Sequence, residues 1–431
     1  MARNFKTRVF GFVVAIALAT IAMIVAPITV QVSGATVIGA DEAQATTVTR
    51  LSGADRYKTM QAVVDKGFSH ADSVVIATGT NYPDALSAAG LAGLLDAPVI
   101  LTDSKSLSPE ARYEINRLGA STAYLVGGNK ALSSRVVSDL KGMGLTCRRA
   151  SGDTRQATAV AVYEMGAKRG LYSWSETAIV ASGSSFADAL SASSFSYAMG
   201  APIFLTESNG SLSRSTLSAI RSGGFSEVLV LGGTKVVPSS TYSAIKSAGL
   251  RVTRLAGDNR YQTSWTIANF AMGRGMTVEN MAFATGTNFP DALSGGAFCG
   301  KNWSVLMLIE GGFPASAKPF MQAHNGEANR IYVLGGEAAV NAASLRYMKQ
   351  YAAGNFDYYE APPAPPAPPA SSGAAISGAT GGTIVYFTPM GKKYHYSWCP
   401  TIANSRVVYN ATLQNAKMSG RTYCHVCNPP A

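Results

Sequence analysis

Short apolar runs alternate with segments that carry helix-start signals along most of the chain. The runs 73–77 and 98–101 are short and rich in β-branched residues, which is typical of buried strands. Ser108 followed by Pro109 marks a helix start, because serine caps a helix and proline suits its first turn. The predicted strands of this part cover 73–77, 98–101, 123–126 and 145–149, and predicted helices follow at 85–95, from 108 onward and at 133–143. This alternation predicts a parallel α/β sheet covered on both faces.

One phrase occurs three times. It surrounds Asp84, Asp188 and Asp291, which stand 104 and 103 residues apart, and it ends in Asp-Ala-Leu-Ser in every copy. A Gly-x-x-Arg element precedes each copy, and an apolar strand that ends in two glycines follows it. A period of about 100 residues is the size of a small domain. We therefore predict three similar parallel-sheet α/β modules, at 50–147, 148–251 and 252–350.

The two ends of the chain differ in composition from these modules. Three basic residues precede an apolar run at 9–32, and Ala-Gln-Ala at 43–45 fits a cleavage site, so 1–45 is interpreted as a signal peptide. A retained membrane anchor is the alternative, and both interpretations place the remainder outside the cytoplasm. Residues 355–382 form a Pro/Ala/Gly/Ser-rich linker, with a polyproline II spacer at 361–370. Residues 383–431 are predicted to form a separate small domain.

The chain is basic, with a formal net charge of +11, and this charge favours anionic partners such as nucleic acids, anionic lipids or wall polymers. The repeats contain neither a Walker-type phosphate loop nor a Gly-x-Ser-x-Gly motif. Their two histidines, His70 and His324, stand at unmatched positions in different modules. These observations argue against a hydrolase centre in the repeats, and we expect a binding protein without enzymatic activity.

The repeated aspartates and arginines are the candidate chemical groups. We interpret the aspartates as helix-start residues, each paired with the arginine of its own module, and not as three catalytic carboxylates. Alternatively the arginines contact an anionic polymer, because a guanidinium group matches phosphate or carboxylate in geometry. In such sheets ligands bind beyond the carboxyl ends of the strands, where the repeated phrase and the glycine pairs fall. The arginines are Arg56, Arg155 and Arg260.

Together, these landmarks resemble the cell wall-binding repeat 2 family over about seventy per cent of the chain, from Arg50 to Gly354. The resemblance implies three modules packed around a pseudo-threefold axis, which anchor a secreted protein non-covalently to a Gram-positive wall by binding an anionic polysaccharide. It also implies polymer binding by an Ile-Leu-Leu-like stretch. That stretch falls on Val99, Ile100 and Leu101, on Ile203, Phe204 and Leu205, and on Leu306, Met307 and Leu308.

The C-terminal segment carries a second candidate site. His395 and Cys399, followed by Cys424 and Cys427, have the spacing of a tetrahedral zinc site, with His425 as a substitute ligand. The alternative is a disulfide, which would leave one of the three cysteines unpaired. The pattern resembles a small Ada-like zinc-binding tail of secreted bacterial proteins. We expect a closed structural Zn²⁺ site, because four protein ligands leave no position open for chemistry.

The sequence thus predicts a secreted, wall-associated anchor that presents a small zinc-stabilised module beyond a Pro-rich spacer. Two alternatives come from other classes of protein. One is a secreted hydrolase that remodels the wall. The other is a secreted nucleic-acid-binding protein, because Tyr394, Tyr396, Trp398 and Tyr423 are interleaved with basic residues in the tail and aromatic rings can stack on bases.

Overall fold

The computed structural model describes residues 45–167 and 173–358. In the C-terminal part it describes 384–388, 391–396, 399–403, 409–418, 421–424, 426–427 and 429. The chain divides into two compact units, Met1–Glu360 and Ala361–Ala431. The predicted signal segment before residue 45 and residues 359–382 of the predicted linker lie outside the described residues. Within the described part of the chain, no helix is long and apolar enough to cross a membrane.

The first unit is built from strands and helices that alternate. The first repeat contains β1 (Thr47–Leu51), α1 (Arg56–Gly67), β2 (Ser73–Thr78), a 3₁₀ turn (Ala85–Ser87), α2 (Ala88–Leu94), β3 (Val99–Thr102), α3 (Pro109–Leu118), β4 (Thr122–Val126), α4 (Ser134–Gly142) and β5 (Thr146–Ala150). The second contains α5 (Arg155–Ala167), β6 (Thr177–Ala181), α6 (Ala187–Ser191), α7 (Ser193–Met199), β7 (Ile203–Leu205), α8 (Arg214–Ser222), β8 (Glu227–Leu231), α9 (Ser239–Lys246) and β9 (Arg251–Leu255). The third contains α10 (Arg260–Met272), β10 (Thr277–Thr285), α11 (Pro290–Lys301), β11 (Ser304–Ile309), α12 (Ala317–Ala323), β12 (Arg330–Leu334) and α13 (Ala342–Ala352).

These strands form three parallel four-stranded sheets with the same order. The first sheet is β3-β2-β4-β5, the second is β7-β6-β8-β9, and the third is β11-β10-β12-β1. The first strand of the chain therefore completes the third sheet, where Thr47 pairs with Arg330 and Leu51 with Leu334. The prediction of three similar parallel-sheet α/β modules is confirmed, and the pairing of β1 with β12 joins the two ends of the repeated body.

The central helices of the three repeats pack against one another, as pseudo-threefold packing requires. α2, α7 and α11 each contact the other two. Small residues allow this approach: a side chain at Gly93 would collide with the backbone of Tyr197, and one at Gly296 would collide with Ser193. At the end of these helices, Lys301 forms an ion pair of 2.6 Å with Asp96. The hydroxyl of Tyr197 donates to the same carboxylate over 3.2 Å, so each repeat contributes one residue to this polar cluster.

The capping signal at Ser108 predicted the start of α3 correctly. The hydroxyl of Ser108 accepts a hydrogen bond from the amide of Ala111, with Pro109 in the first turn of α3. The first copy of the repeated phrase differs from its prediction, because Asp84 precedes a short 3₁₀ turn and makes no side-chain cap there. In the third copy Asp291 does lie in the first turn of α11, beside Pro290.

The second unit contains short strands and two short helices. Its elements are β13 (Ile384–Phe387), β14 (Lys393–Tyr394), α14 (Pro400–Ala403), β15 (Tyr409–Thr412), α15 (Leu413–Met418) and β16 (Thr422–Tyr423). β13 pairs antiparallel with β15, and β14 pairs parallel with β16. The buried apolar clusters of this unit are small, and one of them contains Cys399, Cys424 and Cys427. Such a small core needs another source of stability.

Candidate functional site

The repeated arginines occupy equivalent positions at the junctions between repeats. Nη1 of Arg56 donates to the carbonyl oxygen of Gly79, and Arg155 and Arg260 donate in the same way to Gly183 and Gly286. These bonds fix each guanidinium at the carboxyl end of the first central strand of its own sheet. Each arginine is the first residue of its helix, α1, α5 or α10, so the start of the helix sets its position.

Each repeated aspartate interacts with the arginine of the following repeat. Asp84 feels the charge of Arg155, Asp188 that of Arg260, and Asp291 that of Arg56. The expected pairing within one module is therefore wrong, because the packing of the central helices brings each aspartate to the neighbouring repeat. We call these three places the first junction (Asp84 and Arg155), the second junction (Asp188 and Arg260) and the third junction (Asp291 and Arg56).

Burial raises the pKa of all three aspartates, and the arginines oppose this effect only in part. The pKa of Asp291 rises to about 6. The pKa of Asp84 is also raised by burial, although a hydrogen bond with Thr158 and the charge of Arg155 act in the other direction. The pKa of Asp188 is raised by burial against the charge of Arg260. A carboxyl group that is costly to ionise is typical of a position inside a packed junction.

The paired glycines make room for these carboxylates. Gly127, Gly232 and Gly335 have φ of +112°, +89° and +103°, a region that favours glycine. A Cβ atom at Gly127 would lie 2.7 Å from Oδ2 of Asp84. The interpretation of these pairs as tight turns is confirmed, and their first glycine also accommodates the aspartate of the same repeat.

Three aromatic rings, one from each repeat, meet beside the junctions. Tyr82 lies 5.4 Å from Phe186 and 5.5 Å from Phe289 between ring centroids, and the last two rings are 6.1 Å apart. Arg155 stands 6.0 Å from the Tyr82 ring, and Arg260 stands 5.7 Å from the Phe186 ring. Each of these arginines thus contacts the aromatic residue of the preceding repeat, which links neighbouring repeats through cation–π interactions.

The first junction opens into a cleft of about 650 Å³. It lies beyond the carboxyl ends of β2, β4 and β5, at the edge of the sheet where ligands were expected. Its charged lining residues are Asp84, Lys130, Asp153 and Arg155, and its polar ones include Thr80, Asn81, Asn129 and Thr154. Arg155 is among the residues predicted from the sequence, whereas Lys130 is not. A signal for Lys130 is present in the sequence, because a lysine follows the Gly-Gly pair at the same distance in the second repeat, at Lys235.

The Ile-Leu-Leu-like stretches lie elsewhere. They fall on β3, β7 and β11, and all nine side chains are buried with at most 2% exposure: Val99, Ile100, Leu101, Ile203, Phe204, Leu205, Leu306, Met307 and Leu308. A side chain without exposed surface cannot contact a polysaccharide. The structure therefore corrects the expectation of direct contact, and these residues form the cores of the sheets.

The four predicted metal ligands come together in the second unit. His395, Cys399, Cys424 and Cys427 are buried, and their ligand atoms all lie within 4.8 Å of one another. Nδ1 of His395 is 3.3 Å from Sγ of Cys399, which is 3.9 Å from Sγ of Cys424. Two sulfurs bound tetrahedrally to one zinc at about 2.3 Å lie about 3.8 Å apart. The geometry therefore fits one metal ion, while the alternative ligand His425 lies outside the described residues.

The surroundings favour the ligand forms of two of these side chains. Burial lowers the pKa of His395, and Lys393 lowers it further, so its imidazole is neutral near pH 7. Burial would raise the pKa of the Cys424 thiol, but the amides of Cys427 and Val426 lower it overall. Burial raises the pKa of Cys427 to about 12, so a cation must displace a proton there.

The other cysteines stand apart from this cluster. Cys147 is half-buried at β5 and Cys299 is buried in α11, and all five cysteines of the chain are free thiols. Burial raises the pKa of both Cys147 and Cys299, which makes them poor nucleophiles. Cys299 belongs to the core of the repeats, and Cys147 packs against that core.

Comparison with known proteins matches three segments of the chain, residues 50–137, 149–242 and 254–345, to Cell wall binding domain 2 (CWB2). N-acetylmuramoyl-L-alanine amidase LytC of Bacillus subtilis (strain 168) is 28% identical over 309 residues, which cover 71% of this chain and 59% of the relative. The Amidase enhancer of the same organism is 27% identical over 270 residues, which cover 62% of this chain and 36% of the relative. The chain thus spans less than two thirds of the length of either relative.

Two solved structures share the fold. Cwp6 from Clostridium difficile superposes with a TM-score of 0.65 at 21% identity, over 71% of this chain and 48% of that one. Cwp8 from Clostridium difficile gives a TM-score of 0.62 at 24% identity, over 70% of this chain and 51% of that one. The three matched segments contain the three junctions and cover more than half of the chain. The chain therefore belongs, through its three repeats, to the cell wall binding domain 2 family.

Proposed function

We propose that the repeats bind the cell wall through an anionic polysaccharide, which they contact at the junctions. The observation that carries this proposal is the cleft of the first junction, which Lys130 and Arg155 line together. A lysine supplies a point charge and an arginine supplies a planar fork, and the two suit phosphate or carboxylate groups along a polymer. Asn81, Asn129 and Thr154 add polar groups that can bind sugar hydroxyls.

A pull-down with Gram-positive sacculi tests this proposal. The full chain should sediment with intact sacculi. It should sediment much less with sacculi that were first treated with hydrofluoric acid, which removes phosphodiester-linked polymers. Retention should also weaken as salt rises, because exposed charges are screened. Equal retention on stripped and intact sacculi would refute the role of anionic polymers and leave wall binding itself intact.

The proposal includes secretion. It rests on the basic residues and the apolar run before residue 45, which lie outside the described residues. N-terminal sequencing of the protein recovered from culture walls should give a chain that begins near residue 46. An intact N-terminus in a membrane fraction would instead support the retained anchor.

For the second unit, we propose a structural Zn²⁺ ion held by His395, Cys399, Cys424 and Cys427. Four protein ligands close the coordination sphere, so the ion would stabilise the fold of this small unit. Elemental analysis of the purified full chain should find about one zinc per chain. Cys427→Ser should lose that zinc, whereas Cys147→Ser, which removes a thiol from the repeats, should keep it. Zinc content unchanged in Cys427→Ser would contradict the assigned ligand set.

We propose that the chain binds the wall without cleaving it. Two named relatives are an amidase and an amidase enhancer, so the test must cover wall cleavage. Incubation of sacculi with the full chain should release no muropeptides.

The nucleic-acid alternative loses support because Tyr394 is 1% exposed and Arg421 stacks 4.0 Å above the Phe387 ring, so both are engaged within the unit.

A further inference from the structure

The three junctions share one scaffold but differ in the two residues that follow the glycine pair. These residues are Asn129 and Lys130 in the first repeat, Thr234 and Lys235 in the second, and Glu337 and Ala338 in the third. Lys130 lines the first cleft, and Lys235 and Glu337 are likewise exposed in their turns. The turn that supplies a cation to two junctions therefore supplies an anion to the third.

The residue before each helix strengthens this difference. In the first junction the residue before the arginine is Thr154, whose hydroxyl accepts a hydrogen bond from the amide of Ala157. In the second it is Asn259, whose side chain accepts the capping hydrogen bonds. In the third, Asp55 takes this place, and its carboxylate accepts from the amides of Tyr57 and Lys58. A neutral cap in two junctions is thus replaced by a charged one in the third.

The three junctions differ in net charge. Each turn also holds an arginine on the carbonyl of its first glycine: Arg149, Arg254 and Arg50. The first junction further has Lys130 and Arg155 against Asp84 and Asp153, and the second has Lys235 and Arg260 against Asp188 and Asp258. The third further has Arg56 against Asp55, Asp291 and Glu337. With every group ionised, the first two junctions each carry a charge of +1 and the third carries −1. An anionic group would meet a lysine in the first two and a glutamate in the third.

We infer that the first and second junctions each hold an anionic group of the wall polymer through Lys130 with Arg155 and Lys235 with Arg260, and that the third junction does not. This inference rests on the proposed function, because it names which junctions bind the anionic polymer. The third junction keeps Arg56 as a structural residue, bonded to the carbonyl of Gly79. The repeated body then binds the polymer on two of its three sides.

Calorimetric titration of the full chain with two soluble probes tests the inference. Poly(glycerol phosphate) presents phosphodiesters and polygalacturonate presents carboxylates, so the pair also identifies the anionic group. Lys130→Ala and Lys235→Ala should each weaken binding about fivefold, as expected for one exposed charge contact. Lys141→Ala, which removes an exposed lysine from the end of α4, is the matched control and should bind like the wild type.

A gain-of-function variant tests the third junction directly. Glu337→Asn with Ala338→Lys copies the turn of the first repeat and should raise the number of bound anionic groups per chain from two to three. Asp72→Lys changes the net charge by the same amount at a side chain that is 91% exposed before β2, and it should leave this number unchanged. Circular dichroism confirms that each variant is folded.

The outcomes separate the inference from the proposed function. If the wild type binds neither probe nor intact sacculi, the proposed function fails, and the inference fails with it. If the wild type binds but the two lysine variants match Lys141→Ala, only the inference fails. A stoichiometry of three in the wild type would also overturn it, because the third junction would then bind.

Discussion

Asp291 of the third repeat interacts electrostatically with Arg56 of the first. The equivalent interactions join Asp84 to Arg155 and Asp188 to Arg260, so the three repeats are linked in a closed ring. Burial of the aspartate outweighs the attraction of the arginine at each junction. The ring is therefore sensitive to the ionisation of its carboxyl groups.

The stability of the repeats should depend on pH through Asp291. Its pKa is about 6 in the folded chain and near 3.8 otherwise, so the folded state binds this proton more tightly than the unfolded state. The stabilisation from this proton is complete below about pH 4 and is lost as pH rises through 6. The free energy of unfolding of the wild type, relative to Asp291→Asn, should fall by about 2–3 kcal/mol between pH 4 and 7.

Urea unfolding at a series of pH values measures this difference. Asp72→Asn, at an exposed side chain, is the control and should follow the wild-type profile. If the difference in free energy of unfolding between the wild type and Asp291→Asn stays constant over this pH range, burial does not raise the pKa of Asp291.

The glycine pair at the third junction offers a second test. Gly335 has φ of +103°, and a Cβ there would collide with the Asp291 carboxylate. Gly335→Ala should therefore destabilise the chain by about 2–4 kcal/mol. Gly336→Ala is the control, because its nearest contact would be the Gly53 carbonyl at 3.7 Å, and it should cost much less.

A double mutant separates the two causes of this cost. Asp291→Ala should relieve the collision in the Gly335→Ala background but leave the backbone strain. The free energies of unfolding of the four chains give the coupling between the two residues. Purely additive effects would mean that the carboxylate does not occupy the space above Gly335.

Removal of β1 should destabilise the third repeat, although β1 is far from it in sequence. Leu51 is buried at the end of this strand, and Arg50 donates to the carbonyl oxygens of Gly335 and Asn341. A chain that begins at Ser52 should lose at least about 3 kcal/mol of stability relative to one that begins at Thr46. Equal denaturation midpoints for the two chains would argue against the pairing of β1 with β12.

Trp303 should carry a backbone cost that glycine would remove. Its φ is +51°, and the equivalent residues are Gly200 at +60° and Asp96 at +49°, so the position requires a left-handed conformation. Trp303→Gly should be more stable than Trp303→Ala by about 0.5–1 kcal/mol, because both lose the ring but only glycine relieves the strain. Thermal unfolding of the two variants measures this difference, and the reverse order would contradict it.

Local signals predicted the elements well, because they depend on neighbouring residues. Ser108 caps α3 as expected, and the predicted strand at 73–77 agrees with β2 to within one residue. The partner of Asp84 depends instead on how α2, α7 and α11 pack, which no local pattern encodes. The same holds for β1, whose partner β12 is the last strand of the repeats. The family resemblance assigns polymer binding to the apolar stretch at Val99, whereas its apolar pattern alone predicts a buried strand.

The metal cluster was predictable for a different reason. His395 and Cys399, and then Cys424 and Cys427, are close pairs, so each pair needs only one local turn to point two ligands in one direction. The fold then has only to bring two pairs together, which β14 and β16 do by pairing next to each other. The cleft of the first junction requires three separate loops to meet. The sequence therefore shows that Lys130 and Lys235 occupy matching positions, but not that Lys130 lies beside Arg155.

Because β1 pairs with β12, the same folded body can form whichever repeat comes first along the chain. Thr46 donates to the carbonyl of Ala328 and lines a small pocket with Tyr351 and Ala352, so the start of β1 and the end of α13 are neighbours. A circular permutant that begins at the second repeat, with the old ends joined by a short linker, should form the same ring. The point at which another segment joins the repeats can thus be moved around the ring without any change in the three junctions.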